Sequence, residues 1–258
     1  VQLKEDYDAL KPRAPKIDKL REIFTELEFK SWLKETLSSS ESGVATPELD
    51  IATPSVIDRA HYETIYTQET LQKWLGWLQE AELFAYDSET TSLDEMVAEI
   101  VGVSFALSDG RACYIPVAHD YLGAPAQLER VKTLNALKPI LESKTAKIIG
   151  HNIKYDMKVL AKYGIHMTGI AFDTMLESYV LDAIGTRHDM DTLALKLLGH
   201  QNIAFTDIAG KGKGQLTFNQ IDLETAAPYA AEDADVTFKL HQQQWPRLQQ
   251  EPTLLKLY

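Results

Sequence analysis

A chain of 258 residues, 45% hydrophobic and 25% charged, has the balance of a soluble globular protein with room for one good-sized core and a tail. No apolar run reaches the ~18–20 residues of a bilayer crossing. The first residues lack the apolar centre of a signal peptide, and the single Cys113 excludes an internal disulfide, so a reducing, cytoplasmic setting without a membrane is expected. A net charge of −12 opposes general binding to polyanions and leaves room for a local site where cations intervene, or for basic surface supplied by another domain.

Residues 1–37 are charged, with apolar positions at helical spacing in KLREIFTELEFKSWLKETL, which predicts one or two short helices. Residues 38–58, opening SSSESGVATPELDIATPS, have the composition of a flexible linker. From 59 to 258 the pattern is that of one domain. TQETLQKWLGWLQEAE (67–82) reads as a helix capped by Thr67 or Thr70, with a stripe through Leu71, Leu75 and Leu78. Three strand-like runs follow, LFAYD, EIVGVSFAL and ACYIPV, joined by short polar turns that favour an antiparallel meander. QLERVKTLNALKPILES is a predicted helix, AKIIG a buried strand, and NIKYDMKVLAKYG a helix ending at Gly164. After IAFD, Asp173 stands as a cap, and TMLESYVLDAI reads as a helix opened by a Thr174–Glu177 capping box. DMDTLALKLLG is another helix, GKGKGQ a flexible basic loop, and residues 222–245 a long helix stopped by Pro246. The implied class is α/β, a mixed sheet with helices on both faces.

Four acids break this pattern. Asp87 and Glu89 end the apolar run LFAY, and residues two apart on a strand project to one side. Asp233 shares a helical stripe with Tyr229, Val236 and Leu240, so it faces inward while Glu232 and Asp235 are expected to face water. Asp156 shares another with Ile153, Leu160 and Tyr163. No Lys or Arg lies on either stripe, and inward carboxylates without a partner demand positive charge. Carboxylate oxygens without Cys or clustered His select Mg²⁺ or Mn²⁺. Two such ions about 3.5–4 Å apart are a recurrent device for phosphoryl transfer. A second Asp-x-Glu, Asp222–Glu224, lacks this setting and reads as solvated charge in a helical first turn.

The motifs DSET (87–90), HNIKYD (151–156) and YAAED (229–233) occur in an order and spacing that closely resembles the 3′–5′ proofreading exonuclease domains of bacterial family-A DNA polymerases. Among the 11 tyrosines only Tyr229 has an Asp four residues on, and among the asparagines only Asn152 does. Longer stretches, YIPVAHDYL, GIAFDTMLESYVL and YAAEDADVT, extend the resemblance across residues 60–258. It implies a ribonuclease-H-like, mixed five-stranded sheet whose first three strands are antiparallel. It also implies removal of nucleotides from single-stranded DNA 3′ ends as monophosphates, with two Mg²⁺ or Mn²⁺ ions per site. By resemblance, Asp87, Glu89 and Asp233 hold one ion, and Asp87 bridges to another that Asp156 reaches directly or through water. Tyr229, with Glu89, orients the attacking water. Leu93 and Phe205 pack on the terminal bases, while Asn152, Tyr155 and Arg187 contact the sugar–phosphate backbone. His151 and Ser88 depart from the residues usual in the family. The resemblance further implies a monomer with a polymerase domain in cis, preceded at 1–37 by the tail of a 5′-nuclease-like domain. Two other readings share these residues: a non-catalytic module that binds 3′ ends or braces the polymerase, and an RNA 3′-processing exonuclease.

Overall fold

The computed structural model describes residues 16–27 and 57–258. They fall in two compact units, Val1–Leu49 and Asp50–Tyr258. Of the first unit, α1 (Ile17–Glu26) is described, a helix where helical spacing predicts one. Most of the expected linker, 38–56, lies outside the described residues.

The second unit is built on one mixed sheet in the order β1-β4-β3-β2-β5-β6. Its core is the expected meander: β2 (Leu83–Thr90), β3 (Ile100–Ala106) and β4 (Ala112–Pro116) pair antiparallel. β5 (Lys147–Gly150) joins β2 in parallel and β6 (Ile170–Asp173) joins β5 in parallel. The sixth strand, β1 (Tyr62–Thr64), pairs in parallel with the edge of β4. The resemblance implies five strands and six are found; at three residues β1 is too short to carry readable alternation.

Alternation along β2 sorts its side chains between two helical layers. Phe84 and Tyr86 join Phe105, Cys113 and Ile115 under α2 (Gln68–Glu80), α3 (Arg130–Leu141) and α4 (Lys154–Ala161), in a core that includes Trp74, Leu78, Leu137 and Leu160. On the opposite face, Ala85, Ala106, Ala112 and Ile149 meet Ala231, Ala234 and Phe238 of the long helix α8 (Leu223–Gln250). Small residues on both sides of this second contact let the axis of α8 lie close to the sheet. That closeness brings a polar side chain of α8 within reach of the end of β2.

Between these elements lie α5 (Thr174–Leu181), α6 (Met190–Leu193, running into a π turn that ends at Leu198) and α7 (Phe205–Ala209); α9 (Pro252–Leu257) follows α8. Two local expectations are corrected. α8 does not stop at Pro246 but continues to Gln250. An interior proline removes one backbone hydrogen bond, and here Trp245 packs on Phe172 and Tyr258 while Leu248 is fully buried, which holds the helix through that gap. The Thr174–Glu177 capping box does not form. The Asp173 carboxylate caps α5, accepting from the amides of Met175 and Leu176, and Glu177 turns into the core to meet His241 at 2.7 Å.

Candidate active site

The alternation that buries Phe84 and Tyr86 under α4 turns Asp87 and Glu89 toward α8 and Ser88 away from it. From α8, Asp233 completes a group of three carboxylates whose nearest oxygens all lie within 4.8 Å of one another. The three are half-buried, and Glu89 Oε1 is enclosed without a hydrogen-bond partner among the described residues. Burial pushes the Asp87 carboxyl up to about 6. It raises Glu89 well above its ordinary value, reinforced by the charges of Asp87, Asp233 and Asp156. Asp233 is raised by burial and then by Asp87. An orphaned oxygen among three repelling carboxylates fits a hard cation, which supplies the missing charge and takes oxygen donors.

Asp156 lies outside this tight group, on the α4 side of β2. Its Oδ1 accepts the Ser88 hydroxyl at 2.5 Å. Burial and then the Asp87 charge raise its carboxyl, so the two acids share one electrostatic neighbourhood. Ser88 is thus the strand residue that meets the fourth acid. Alternation places it on the α4 face, but nothing in the local pattern shows which helical side chain arrives there.

Tyr229 stands one helical turn before Asp233, with its ring 6.1 Å from Phe205 and 5.9 Å from Phe218, centroid to centroid. Burial, followed by the charge of Asp233, pushes its phenol far up, so it stays protonated at neutral pH and orients rather than accepts protons. Phe205 is also stacked on Phe218 at 6.5 Å, forming an aromatic wall beside Tyr229. Leu93 is 96% exposed on the loop after β2. Tyr155 anchors that loop: its hydroxyl donates to the Ser92 carbonyl at 2.5 Å and hydrogen-bonds Thr90 Oγ1. Asn152 takes a left-handed conformation, φ 59°, between β5 and α4. Arg187 is 85% exposed and pairs with Asp189 at 3.1 Å.

One expectation on α8 is reversed. Glu232 and Asp235 do not face water; they are 0% and 1% exposed. Glu232 accepts from Arg59 Nε at 2.9 Å, from the Ile203 amide at 2.7 Å, and pairs with His200 at 2.8 Å. Asp235 accepts from the Tyr62 hydroxyl and Lys239. Arg59, His200, Ile203 and Tyr62 come from β1, the turn before it and the segment before α7, none of which a stripe on α8 reveals, whereas Lys239 lies one turn further along α8 itself. Asp222 caps α8 through the Thr225 amide and Glu224 lies exposed in its first turn, as expected of the second Asp-x-Glu.

A sheet of this order, with carboxylates from its first antiparallel strand and from the helix laid across it, is the ribonuclease-H-like architecture of acidic-site nucleases. Trypanosoma brucei RNase D shares it: TM-score 0.56 at 16% identity, covering 71% of this chain and 64% of that one. The chain belongs to the 3′–5′ exonuclease family, whose model matches residues 62–249. It is 48% identical to DNA polymerase I of Pseudomonas aeruginosa over its whole length and 42% identical over 74% of its length to DNA polymerase I of Rhizobium leguminosarum. It spans 28% and 20% of those two proteins.

Proposed function

We propose that this chain is the metal-dependent 3′–5′ exodeoxyribonuclease module of a DNA polymerase I, trimming single-stranded or frayed 3′ ends to nucleoside monophosphates. The carrying observation is the group Asp87, Glu89 and Asp233, which among the described residues has a buried oxygen without a partner and no cationic side chain among its hydrogen-bond partners. Asp87, Glu89 and Asp233 would hold one Mg²⁺ or Mn²⁺ ion, with Asp87 and Asp156 toward a second. When bound, such ions polarise the scissile phosphate and lower the pKa of water. The chain's own residues do the rest. Tyr229, neutral and braced by Phe205 and Phe218, orients the water together with Glu89. Leu93 and Phe205 offer apolar surface to terminal bases of any identity, which suits a sequence-blind enzyme. Asn152, Tyr155 and Arg187 hold the sugar–phosphate backbone. Residues 1–37 belong to the end of a preceding 5′-nuclease-like domain, 38–58 form a linker, and a polymerase domain lies in cis in the whole, monomeric, nucleoid-associated protein. That the chain spans only 28% and 20% of the two relatives supports its being one part of a longer polymerase.

The test is degradation of 5′-labelled single-stranded DNA with Mg²⁺ by the unmodified chain and by Asp87→Ala. Stepwise shortening by the former alone is expected. Full-length label under excess unmodified enzyme would sink the catalytic reading in favour of a 3′-end-binding scaffold, and faster shortening of a matched RNA would make the substrate RNA.

A further inference from the structure

The Asp173 carboxylate is 4% exposed and accepts four backbone amides, two from the first turn of α5 and two from the turn that leads into α4. Oδ1 takes those of Met175 (3.0 Å) and Leu176 (3.2 Å) at the start of α5, and that of Asn152 (3.2 Å). Oδ2 takes that of Ile153 at 3.0 Å, at the start of α4. α4 has no cap of its own, since its N-cap residue is Ile153. The chain enters α4 from β5 in three residues, through the left-handed Asn152. That turn is tight: a Cβ on Gly150 would lie 2.6 Å from the Ile153 side chain. A second strap runs alongside, His151 Nδ1 to Thr174 Oγ1 at 2.8 Å. Asp173 is itself fixed from behind by its amide, which donates to the Tyr258 hydroxyl at 2.8 Å.

We infer that Asp173 is a positioning residue of the exonuclease site: by tying the starts of α4 and α5 to one carboxylate it sets the height of α4, and so places Asp156 against Ser88 and beside Asp87. Asp156 lies three residues past Ile153, in the first turn of an eight-residue helix. It meets β2 through the Ser88 hydroxyl, at 2.5 Å. Loss of the anchor at Ile153 lets that first turn fray, and displacements near 1 Å are enough to spoil a constellation of this kind. Tyr155, in the same turn, anchors the Leu93 loop and moves with it. This role rests on Asp156 serving the proposed metal site, and the test separates the two.

Asp173→Asn keeps one acceptor oxygen and turns the other into a donor facing backbone N–H. Hydrogen exchange of the metal-free variant is expected to speed at least tenfold at amides 152–157 while β2 and α8 keep native rates. Calorimetric titration with Mn²⁺ and thymidine 5′-monophosphate is expected to show the ion of Asp87, Glu89 and Asp233 unchanged, and the ion toward Asp156, the weaker because fewer carboxylates hold it, bound about 10–100-fold less well, the usual effect of removing outer-shell support. Glu129→Gln, which removes an exposed cap from the remote α3, should alter neither. Exchange that rises uniformly over the molecule, or a weaker ion that binds Asp173→Asn as it binds the native chain, overturns the inference. Asp156→Ala is the arbiter: if it too leaves the weaker ion unchanged, the metal-site reading of Asp156 fails instead. Should Asp173→Asn not fold, the unmodified chain decides. Amides 152, 153, 175 and 176 must then open with one common free energy, and separate openings overturn the shared anchor.

Discussion

Glu232 and Asp233 are neighbours on α8, yet they meet opposite surroundings. Glu232 is wholly enclosed and satisfied by a guanidinium, an imidazole and a backbone amide. Asp233, one residue on and rotated by ~100°, meets Asp87 and Glu89 instead. An acid whose partners are built into the chain holds the fold together; an acid ringed by other acids is incomplete and selects its partner from solution. The same helix carries both because it lies in a groove whose walls differ: the segment around 200–203 and Arg59 on one side, the end of β2 on the other.

The widest separation between the two acids is expected in catalysis. Removing a carboxylate that holds a catalytic ion forfeits several kcal/mol of transition-state stabilisation, so Asp233→Ala or Asp87→Ala should cut exonuclease rates by on the order of 10³-fold or more. In metal-free buffer Asp233→Ala should melt at the native temperature or above it, because the substitution relieves repulsion. A large fall in the metal-free melting temperature would make Asp233 a structural residue like its neighbour.

Glu232→Ala is the reverse experiment. It strands His200 and the Ile203 amide, and the half-exposed Arg59, so about 3 kcal/mol of stability should be lost, at the lower end of what breaking a buried ion pair costs. Urea denaturation measures this directly. Equal stability in native and variant would show that Arg59 and His200 find water instead, and the contrast would collapse.

How much of this contrast is legible in the sequence depends on where each acid's partners come from. Asp87 and Glu89 are readable because strand alternation is local, and Asp233 because its stripe is apolar. The meander is readable because its turns are short. Glu232 is misread because its partners sit 29 to 173 residues away in segments without periodicity. β1 is missed for a related reason: it exists only by pairing with β4. Pro246 misleads because a local rule yields to tertiary contacts around Trp245 and Leu248. The roles proposed for the carboxylates rest on the three motifs together, and the proposal that Leu93 and Phe205 contact bases comes from the family resemblance alone, since Leu93 by itself is simply an exposed apolar side chain.

A smaller effect separates the acids by pH. In the folded, metal-free chain the Asp87 carboxyl stands near 6, raised by burial, against about 3.9 when unfolded. The folded state therefore binds the proton more tightly, and the stability this brings is complete below ~4 and lost as pH rises through about 6. In EDTA the melting temperature should fall by a few degrees between pH 5 and 7.5, relative to an Asp87→Asn control that lacks the group. Millimolar Mg²⁺ should abolish the difference, since the ion binds the deprotonated folded form and stabilises it by mass action. A difference that survives Mg²⁺ would place the responsible group elsewhere, with Glu177, raised by burial beside His241, the first to examine.

The smallest effect belongs to the second Asp-x-Glu, and it isolates context from composition. Asp222 has the same residue type and the same spacing to Glu224 as Asp87 to Glu89, but it stands before the first turn of α8, where its carboxylate accepts from the amide and hydroxyl of Thr225. Removing such a cap costs about 1 kcal/mol, so Asp222→Ala should lower the melting temperature by two to four degrees or so for a domain near 200 residues. Glu224→Gln, in an exposed first turn, should cost only a few tenths of a kcal/mol through the helix dipole. Neither should slow the removal of nucleotides from a 3′ end. The cap stands eleven residues, about three turns, before Asp233 on the same helix, and fraying falls off within the first turn. If Asp222→Ala did slow the enzyme without a matching loss of stability, the start of α8 would have to move as one piece with its acidic centre. The packing of α8 on the alanines of the sheet would then be transmitting strain rather than absorbing it.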